Sequence, residues 1–314
     1  MPARALKDIE QLSNNPGVYF FYDAADNLIY VGKAKNLRRR LAQYRKTSRI
    51  RKHRRMRGII RDTFRYETRN CPSELDALLL ENEWIQKAKP KWNIVGAFYF
   101  MYPIISVRRE KNGDLILGYS TEEASTIQSG SRLFGSYRSR SNTRRAFFSM
   151  NRLIGYIGHR EKKKSKTPSS RSEFVKNREQ RFRQLSVEWE KWITLFFNGE
   201  SSLLLEKIVT QLLDRPKARR RASEVQTYID ELALFYSTEA KRLKFIRDQL
   251  DLGLGFIPQR ERDRFYLLAK HIAKSRLTDG THFHSNQISQ SFSQSLHLAI
   301  DSKVTETKFV KPNG

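Results

Sequence analysis

Residues 16–41 read PGVYFFYDAADNLIYVGKAKNLRRRL, and their pattern decides the N-terminal fold. Val18 to Tyr22 is rich in β-branched and aromatic residues, which predicts a strand. Asp23 to Asn27 supplies turn residues and Leu28 to Val31 predicts a second strand, so the pair reads as a hairpin. Gly32 follows, and Asn36 is placed to cap a helix running to about Arg45, whose Leu37, Leu41 and Tyr44 recur at the helical period. Upstream, residues 3–12 predict a short helix that Pro16-Gly17 ends. Downstream, a very basic helix is expected over Arg49 to Arg61 and a strand over Thr63 to Arg69. Ser73, with Asp76 three residues on, caps a further helix that Pro90 stops near Ala88.

Past Ala97, Ile104 to Arg109 and Leu115 to Tyr119 predict paired strands around the turn Asn112-Gly113. A strand is expected at Leu133 to Tyr137 and a helix from about Thr143 to Tyr156. The predicted strands and helices together read as an α+β chain. Residues 1–98 hold a small mixed or antiparallel sheet with flanking helices, and 99–158 form a β-containing connector. Residues 159–171 read as a basic linker, 172–276 as a mostly α-helical basic region, and the Ser/Gln/Thr-rich 277–314 as a disordered tail. No internal repeat stands out.

The chain has 314 residues and a formal net charge of +27, from 60 Lys+Arg and 33 Asp+Glu. Half of that excess is concentrated between Lys33 and Arg69, which carry 16 Lys/Arg against Asp62 and Glu67. A charge run is ordinarily a solvated face, but so dense a field of one sign repels itself unless a polyanion neutralises it. Nucleic acid is the expected partner. The single cysteine, Cys71, excludes a disulfide scaffold and an all-cysteine metal or iron–sulfur site within one chain. The apolar runs are too short to span a bilayer, and the N-terminus MPARALKDIEQLS has no apolar signal segment. A soluble cytoplasmic, nucleoid-associated protein with no membrane contact is the expectation.

Three segments in order, PGVYFFYD (16–23), IYVGKAKNLRRRL (29–41) and ALLLENEWIQKAKPKWN (77–93), resemble the GIY-YIG nuclease domain of the UvrC family. The GIY half is Gly17-Val18-Tyr19 and the YIG half Tyr30-Val31-Gly32. Either tripeptide alone is a weak signal, but both at this spacing with the downstream segments are specific. More weakly, RLFGSYRSRSNTRRAFFSMNRLIG (132–155) resembles the stretch that follows the UvrC nuclease domain. The family's cysteine cluster has no counterpart, so no iron–sulfur cluster is expected. ELALFYSTEAKRLKFIRDQL (231–250) resembles the family's UVR helical hairpin only at Ile246 to Leu250, with Ala240-Lys241 where Phe-Glu is expected. The resemblance therefore implies a shortened, single-incision plan like that of Cho. A UvrB-like partner, if engaged, would not dock through a normal UVR hairpin.

It further implies metal-dependent DNA endonuclease chemistry, hydrolysing one strand in nucleotide excision repair. Glu81 would hold one Mg²⁺ or Mn²⁺, Arg40 would balance transition-state charge, and Lys33, Tyr44 and Asn93 would complete the site. Tyr19 or Tyr30 would help deprotonate the attacking water; the residues leave both open. Physically, Tyr19 and Tyr30 lie on adjacent strands, and Arg40 and Tyr44 stack at i and i+4. Glu81 flanks the apolar stripe of its helix, where a carboxylate needs a cation, either a metal or an arginine. Lys33, Lys35, Arg39, Arg51, Lys52, Arg54 and Arg55 are the DNA-contact candidates of the basic block. Two rival readings are a structure-selective nuclease outside excision repair and a basic DNA-binding module with a decayed site. His282-x-His284 is a weak metal pair, Trp189 and Trp192 read as packing residues, and Cys71 as an ordinary small side chain.

Overall fold

The computed structural model describes residues 8–45, 54–94, 96–128, 130–160, 177–183, 185–253 and 256–279. The N-terminal sheet has three antiparallel strands, β1 (Gly17–Tyr22), β2 (Leu28–Ala34) and β3 (Arg65–Asn70), in the order β2-β1-β3. The central strand β1 is apolar throughout because both of its faces are covered. Val18 and Phe20 pack with Ala77 and Ile85 of α3 (Glu74–Ala88). Tyr19 and Phe21 pack on the other side with Leu37, Leu41 and Tyr44 of α1 (Leu37–Arg45) and with Ile59 and Ile60 of α2 (Arg54–Asp62). The Asn36 side chain accepts from the Arg39 amide and so caps α1, and the Ser73 hydroxyl accepts from the Asp76 amide to cap α3. Of the short helix expected over residues 3–12, the described part is one 3₁₀ turn at Ile9–Gln11.

A second sheet follows. Strands β4 (Ile104–Arg109) and β5 (Leu115–Ser120) form the expected hairpin, and β6 (Arg132–Gly135) lies beside β4. Helices α4 (Glu123–Gln128) and α5 (Arg140–Ile157) flank β6 in sequence. Among the described residues, the linker expected at 159–171 and the helical region expected from 172 each contain a strand, and residues 161–176 lie outside the described residues. His159–Arg160 is β7 and Asn177–Arg183 is β8, and both join this sheet in the order β6-β4-β5-β8-β7. The reason lies in the charges of β8, whose buried side chains include Gln180 and Phe182. Glu179 pairs with Arg108, and Arg181 reaches Glu110 at 2.7 Å and Asp114 at 3.1 Å. Cross-strand ion pairs thus take the place of apolar alternation.

The rest is helical: α6 (Val187–Phe197), α7 (Leu203–Leu213), α8 (Pro216–Arg219), α9 (Ala222–Phe235), α10 (Lys241–Leu250) and α11 (Arg262–Asp279). They share one core with the second sheet, in which Leu185, Trp189 and Phe196 are buried as a packing stripe. Tyr236–Ala240 is a π-helical segment between α9 and α10, so 222–250 is one uninterrupted helical run. This differs from the helical hairpin that 231–250 partly resembles. Leu232, Phe235, Ala240, Leu243 and Ile246 all bury their side chains, and a hairpin turn would break that face. The expected tail begins inside α11, and residues 280–314, with His282 and His284, lie outside the described residues. The chain entering β4 is fastened to the start of α11, where Tyr102 donates to Asp263 at 2.6 Å and Gln259 Nε2 donates to the Tyr102 carbonyl at 2.6 Å. Among the described residues, no helix is long and apolar enough to cross a membrane.

Candidate active site

The candidate residues converge because β2 is an edge strand whose free backbone groups are taken by side chains and chain arriving from α3. The Trp92 amide donates to the Ile29 carbonyl at 3.1 Å. Asn93 grips Val31 from both sides, accepting from its amide and donating to its carbonyl, each at 2.9 Å. Glu81 Oε1 accepts from the Lys33 amide at 3.0 Å. Four backbone groups on three residues of one strand therefore fix the helix that carries Glu81, and the chain after it, against the strand that carries Tyr30 and Lys33.

The two motif glycines are explained by close approach. Tyr19 and Gly32 are register partners, and the Tyr19 ring lies over Gly32. A β-carbon at position 32 would sit 2.4 Å from both Cζ and Oη of Tyr19. At position 17 it would meet the Arg69 carbonyl oxygen at 2.4 Å and a Leu37 methyl at 2.7 Å. The tyrosine of the first half of the motif thus occupies the space that the glycine of the second half leaves.

Tyr19, Tyr30, Lys33, Lys35, Asn36, Arg39, Arg40, Gln43 and Glu81 line one hollow of about 440 Å³. Tyr19 is fully buried at its floor and Tyr30 is half-buried. The Tyr19 hydroxyl accepts from Arg40 Nε at 3.3 Å and shares a hydrogen bond of 3.0 Å with the Tyr44 hydroxyl. Burial, reinforced by the neighbouring tyrosines, pushes the Tyr19 phenol well above its ordinary value, so it stays protonated at neutral pH. Burial likewise raises Tyr44. Arg40 also donates from Nη1 to Gln43 at 2.9 Å, so its fork is aimed by two side chains.

Glu81 is half-buried, and burial raises its carboxyl above the usual range, against the Lys33 amide and the charges of Lys33 and Arg40. Among the described residues, the Lys33 amide is its hydrogen-bond donor, which leaves Oε2 for a cation. The Glu81–arginine ion pair weighed as an alternative does not form among the described residues. No group of three or more His, Cys, Asp or Glu side chains stands together among the described residues. A cation at Glu81 would therefore complete its shell with water and a substrate phosphate, which suits Mg²⁺ or Mn²⁺ better than a caged ion.

Not every candidate lies in the hollow. Asn93 is buried and acts on β2 from behind, and Arg54 and Arg55 lie exposed on α2, Arg55 donating to the Trp92 carbonyl. Arg51 and Lys52 fall outside the described residues. Sequence reasoning missed Glu74, whose carboxylate takes Lys33 Nζ at 3.1 Å and Lys35 Nζ at 2.7 Å. The Lys35 bond, then that of Lys33, holds Glu74 below the usual carboxylate range. An acid at a helix start draws no notice in a sequence, yet this one aligns both lysines at the mouth of the hollow.

Comparisons with known proteins say what the N-terminal part is similar to. The description "UvrC-like GIY-YIG domain" matches residues 15–94. UvrABC system protein C of Flavobacterium psychrophilum is 34% identical over 131 residues, 42% of this chain and 21% of the relative. That of Cytophaga hutchinsonii is 41% identical over 97 residues, 31% of this chain and 16% of the relative. The GIY-YIG N-terminal endonuclease domain of UvrC from Thermotoga maritima, solved with its catalytic magnesium, is 30% identical, with a TM-score of 0.25. That match covers 28% of this chain and 99% of that one. The chain thus spans about a fifth or less of the curated relatives, and the likeness is concentrated in its N-terminal part. Residues 15–94 of this chain are a UvrC-like GIY-YIG domain.

Proposed function

We propose that this domain is a divalent-metal-dependent endonuclease that hydrolyses one strand of DNA, in the manner of a UvrC incision during nucleotide excision repair. The observation that carries the reading is the meeting in one hollow of an incompletely satisfied carboxylate, an aimed guanidinium and two phenols, from four separate elements. A pure DNA binder has no use for Glu81 in a basic hollow, because a carboxylate there repels phosphate.

Glu81 would hold the ion, oriented by the Lys33 amide; the ion would polarise the scissile phosphate and stabilise the leaving oxygen. Arg40 donates to the phosphate oxygens as charge builds. Tyr30, the more exposed phenol, meets the attacking water and accepts its proton while its own hydroxyl proton passes to solvent water. The water oxygen bonds to phosphorus, the phosphodiester P–O bond breaks, and the departing oxygen takes a proton from solvent water. Tyr19 is then a positioning residue, since its hydroxyl is committed to Arg40 and Tyr44. Lys33, Lys35, Arg39, Arg54 and Arg55, with Arg51 and Lys52, carry the flanking duplex by phosphate contact. A loading partner of the repair system would engage the nuclease domain or the second sheet, because 222–250 offers no hairpin to pair with.

The test incubates the full chain with Mg²⁺ or Mn²⁺ and an end-labelled duplex, with and without one bulky adduct. Single nicks that need the metal and increase with the adduct are expected. Glu81→Gln should stop cutting and leave DNA affinity nearly unchanged. Cutting by Glu81→Gln at the wild-type rate would overturn the reading.

A further inference from the structure

The second part of the molecule carries a basic groove remote in sequence from the hollow just described. It has a volume of about 640 Å³ and is lined by Arg140, Ser141, Arg144, Arg145, Phe148, Ser149, Arg152, Tyr228 and Glu231. Helix α5 supplies most of it. Arg140, Arg144, Phe148 and Arg152 follow one another at intervals of four, so they form a single ridge along the helix. At 1.5 Å per residue that ridge is about 18 Å long.

Its chemistry is unlike that of a solvated helix face. Four arginines border it against one carboxylate, and that carboxylate, Glu231, is tied down by the Ser149 hydroxyl. Between the arginines lies an aromatic floor. Phe148 is half-buried, with the guanidinium carbons of Arg144 and Arg178 at 5.8 and 5.6 Å from its ring centroid. Tyr228 of α9 closes the opposite wall. All the positive residues are arginines, the side chain that combines phosphate hydrogen bonding with planar stacking.

We propose that this groove is a second DNA site that takes a single-stranded segment, with phosphates on the arginine ridge and a base against Phe148 and Tyr228. A duplex would offer the ridge its phosphates, but its bases are stacked and paired, and the aromatic floor would go unused. Single strand is therefore favoured over duplex, and an acidic peptide, which has charge without flat rings, fits less well than either. The proposal rests on the nuclease reading for DNA as its ligand and adds a hold on an unpaired strand away from the cutting hollow.

The experiment measures binding of a labelled oligothymidylate to the full chain across a salt series, beside a duplex with the same number of phosphates. The variants are Arg144→Ala with Arg152→Ala, and Phe148→Leu, which keeps apolar packing but removes the ring. The arginine pair should flatten the log–log salt slope for the single strand by about 1.4, because two phosphates then keep their counterions on binding. Phe148→Leu should weaken single-strand binding by about tenfold, leave that slope unchanged and spare the duplex. Circular dichroism of each variant should match the wild type. An unchanged slope in the arginine pair overturns the site. A normal affinity in Phe148→Leu, equal losses on single strand and duplex, or displacement of the strand by polyglutamate at equal charge overturns its single-strand character and so the proposal. Metal-dependent nicking of plasmid is read in parallel. Nicking with no effect of the groove variants defeats this inference alone, and groove-dependent binding without nicking defeats the nuclease reading alone.

Discussion

Replacing Gly32 by alanine should disable the hollow without replacing any side chain that lines it. The added methyl carbon would lie 2.4 Å from Tyr19 Cζ and Oη and 2.9 Å from Cε2. Favourable carbon contacts lie near 3.5–4.0 Å, so the ring has to retreat by more than about 1 Å. It has little room to do so. Phe21, Tyr44 and Tyr30 hold it with ring centroids 5.3, 5.8 and 6.1 Å away, and it is fully buried. Overpacking of this kind costs about 1–3 kcal/mol, to be read as a lower urea midpoint for the N-terminal part. The functional cost is larger, because the same movement separates the Tyr19 hydroxyl from Arg40 and from Tyr44. A displacement near 1 Å can lower the rate by about 10²-fold. Gly253→Ala is the matched control, since a β-carbon there meets nothing within 4 Å. Pairing Gly32→Ala with Tyr19→Leu should be strongly non-additive, because one change removes what the other strikes. A Gly32→Ala protein that nicks plasmid at the wild-type rate and unfolds at the wild-type urea concentration would refute the close-approach argument.

Glu81 is raised by burial, so its contribution to stability is fully present below the unfolded carboxylate pKa and is lost as pH rises through the higher folded value. Glu81→Gln should therefore melt no lower than the wild type at neutral pH, while wild-type cutting should fade on acidification earlier than an ordinary glutamate would allow; a clearly lower melting temperature would contradict this. Asn93→Ala leaves the Val31 amide and carbonyl without their partner, at about 1–3 kcal/mol for each buried group, measurable by hydrogen exchange at β2. Arg40→Ala should add about 2.7–4 kcal/mol to the cleavage barrier. Arg40→Lys should rescue little of that, because an ammonium cannot reach Tyr19 and Gln43 with one rigid fork. Neutralising Arg39 and Arg54 together should flatten the salt slope of duplex binding by about 1.8, and an unchanged slope would move the duplex off α1 and α2.

How far the sequence could be read depended on how local each signal was. The hairpin 17–34 and the capped helices after Asn36 and Ser73 rest on turn residues, caps and periodic apolar positions a few residues apart, and they were legible. So was the β4–β5 hairpin around Asn112-Gly113. Strand β8 was not, because its fitness for the sheet lies in Arg108, Glu110 and Asp114, about 70 residues away. Without those partners NREQRFR has the composition of a linker or a helix. In the site, the resemblance pointed to Glu81 and Asn93, but nothing local shows that both hold the same edge strand. Glu74 went unnoticed for a related reason: an acid in the first turn of a helix already has a use there, and its two lysine partners lie on another part of the chain.

The same distinction between local composition and distant packing governs the helical run 222–250. Its sequence offers a few residues of a partner-binding hairpin, and a surface hairpin has to expose the anchors with which it docks. Here Ala240 is fully buried, and its carbonyl stands where a β-carbon on Gly199 would meet it at 2.3 Å. Gly199 has a φ of +75°, a conformation that glycine adopts at little cost. The segment after α6 thus crosses the run at close quarters, and Arg247 binds it from below through Asn198 at 2.7 and 2.9 Å. Glu239, also buried, accepts from the amides of Arg138 and Ser139 at the start of α5. A phenylalanine at 240 would have to displace this crossing, and a turn near 240 would release the amides that Glu239 holds. The positions that would anchor a hairpin are used to fasten α5 and α6 instead. Since α5 also bears the arginine ridge, this helical run is better understood as the support of that helix than as a docking arm.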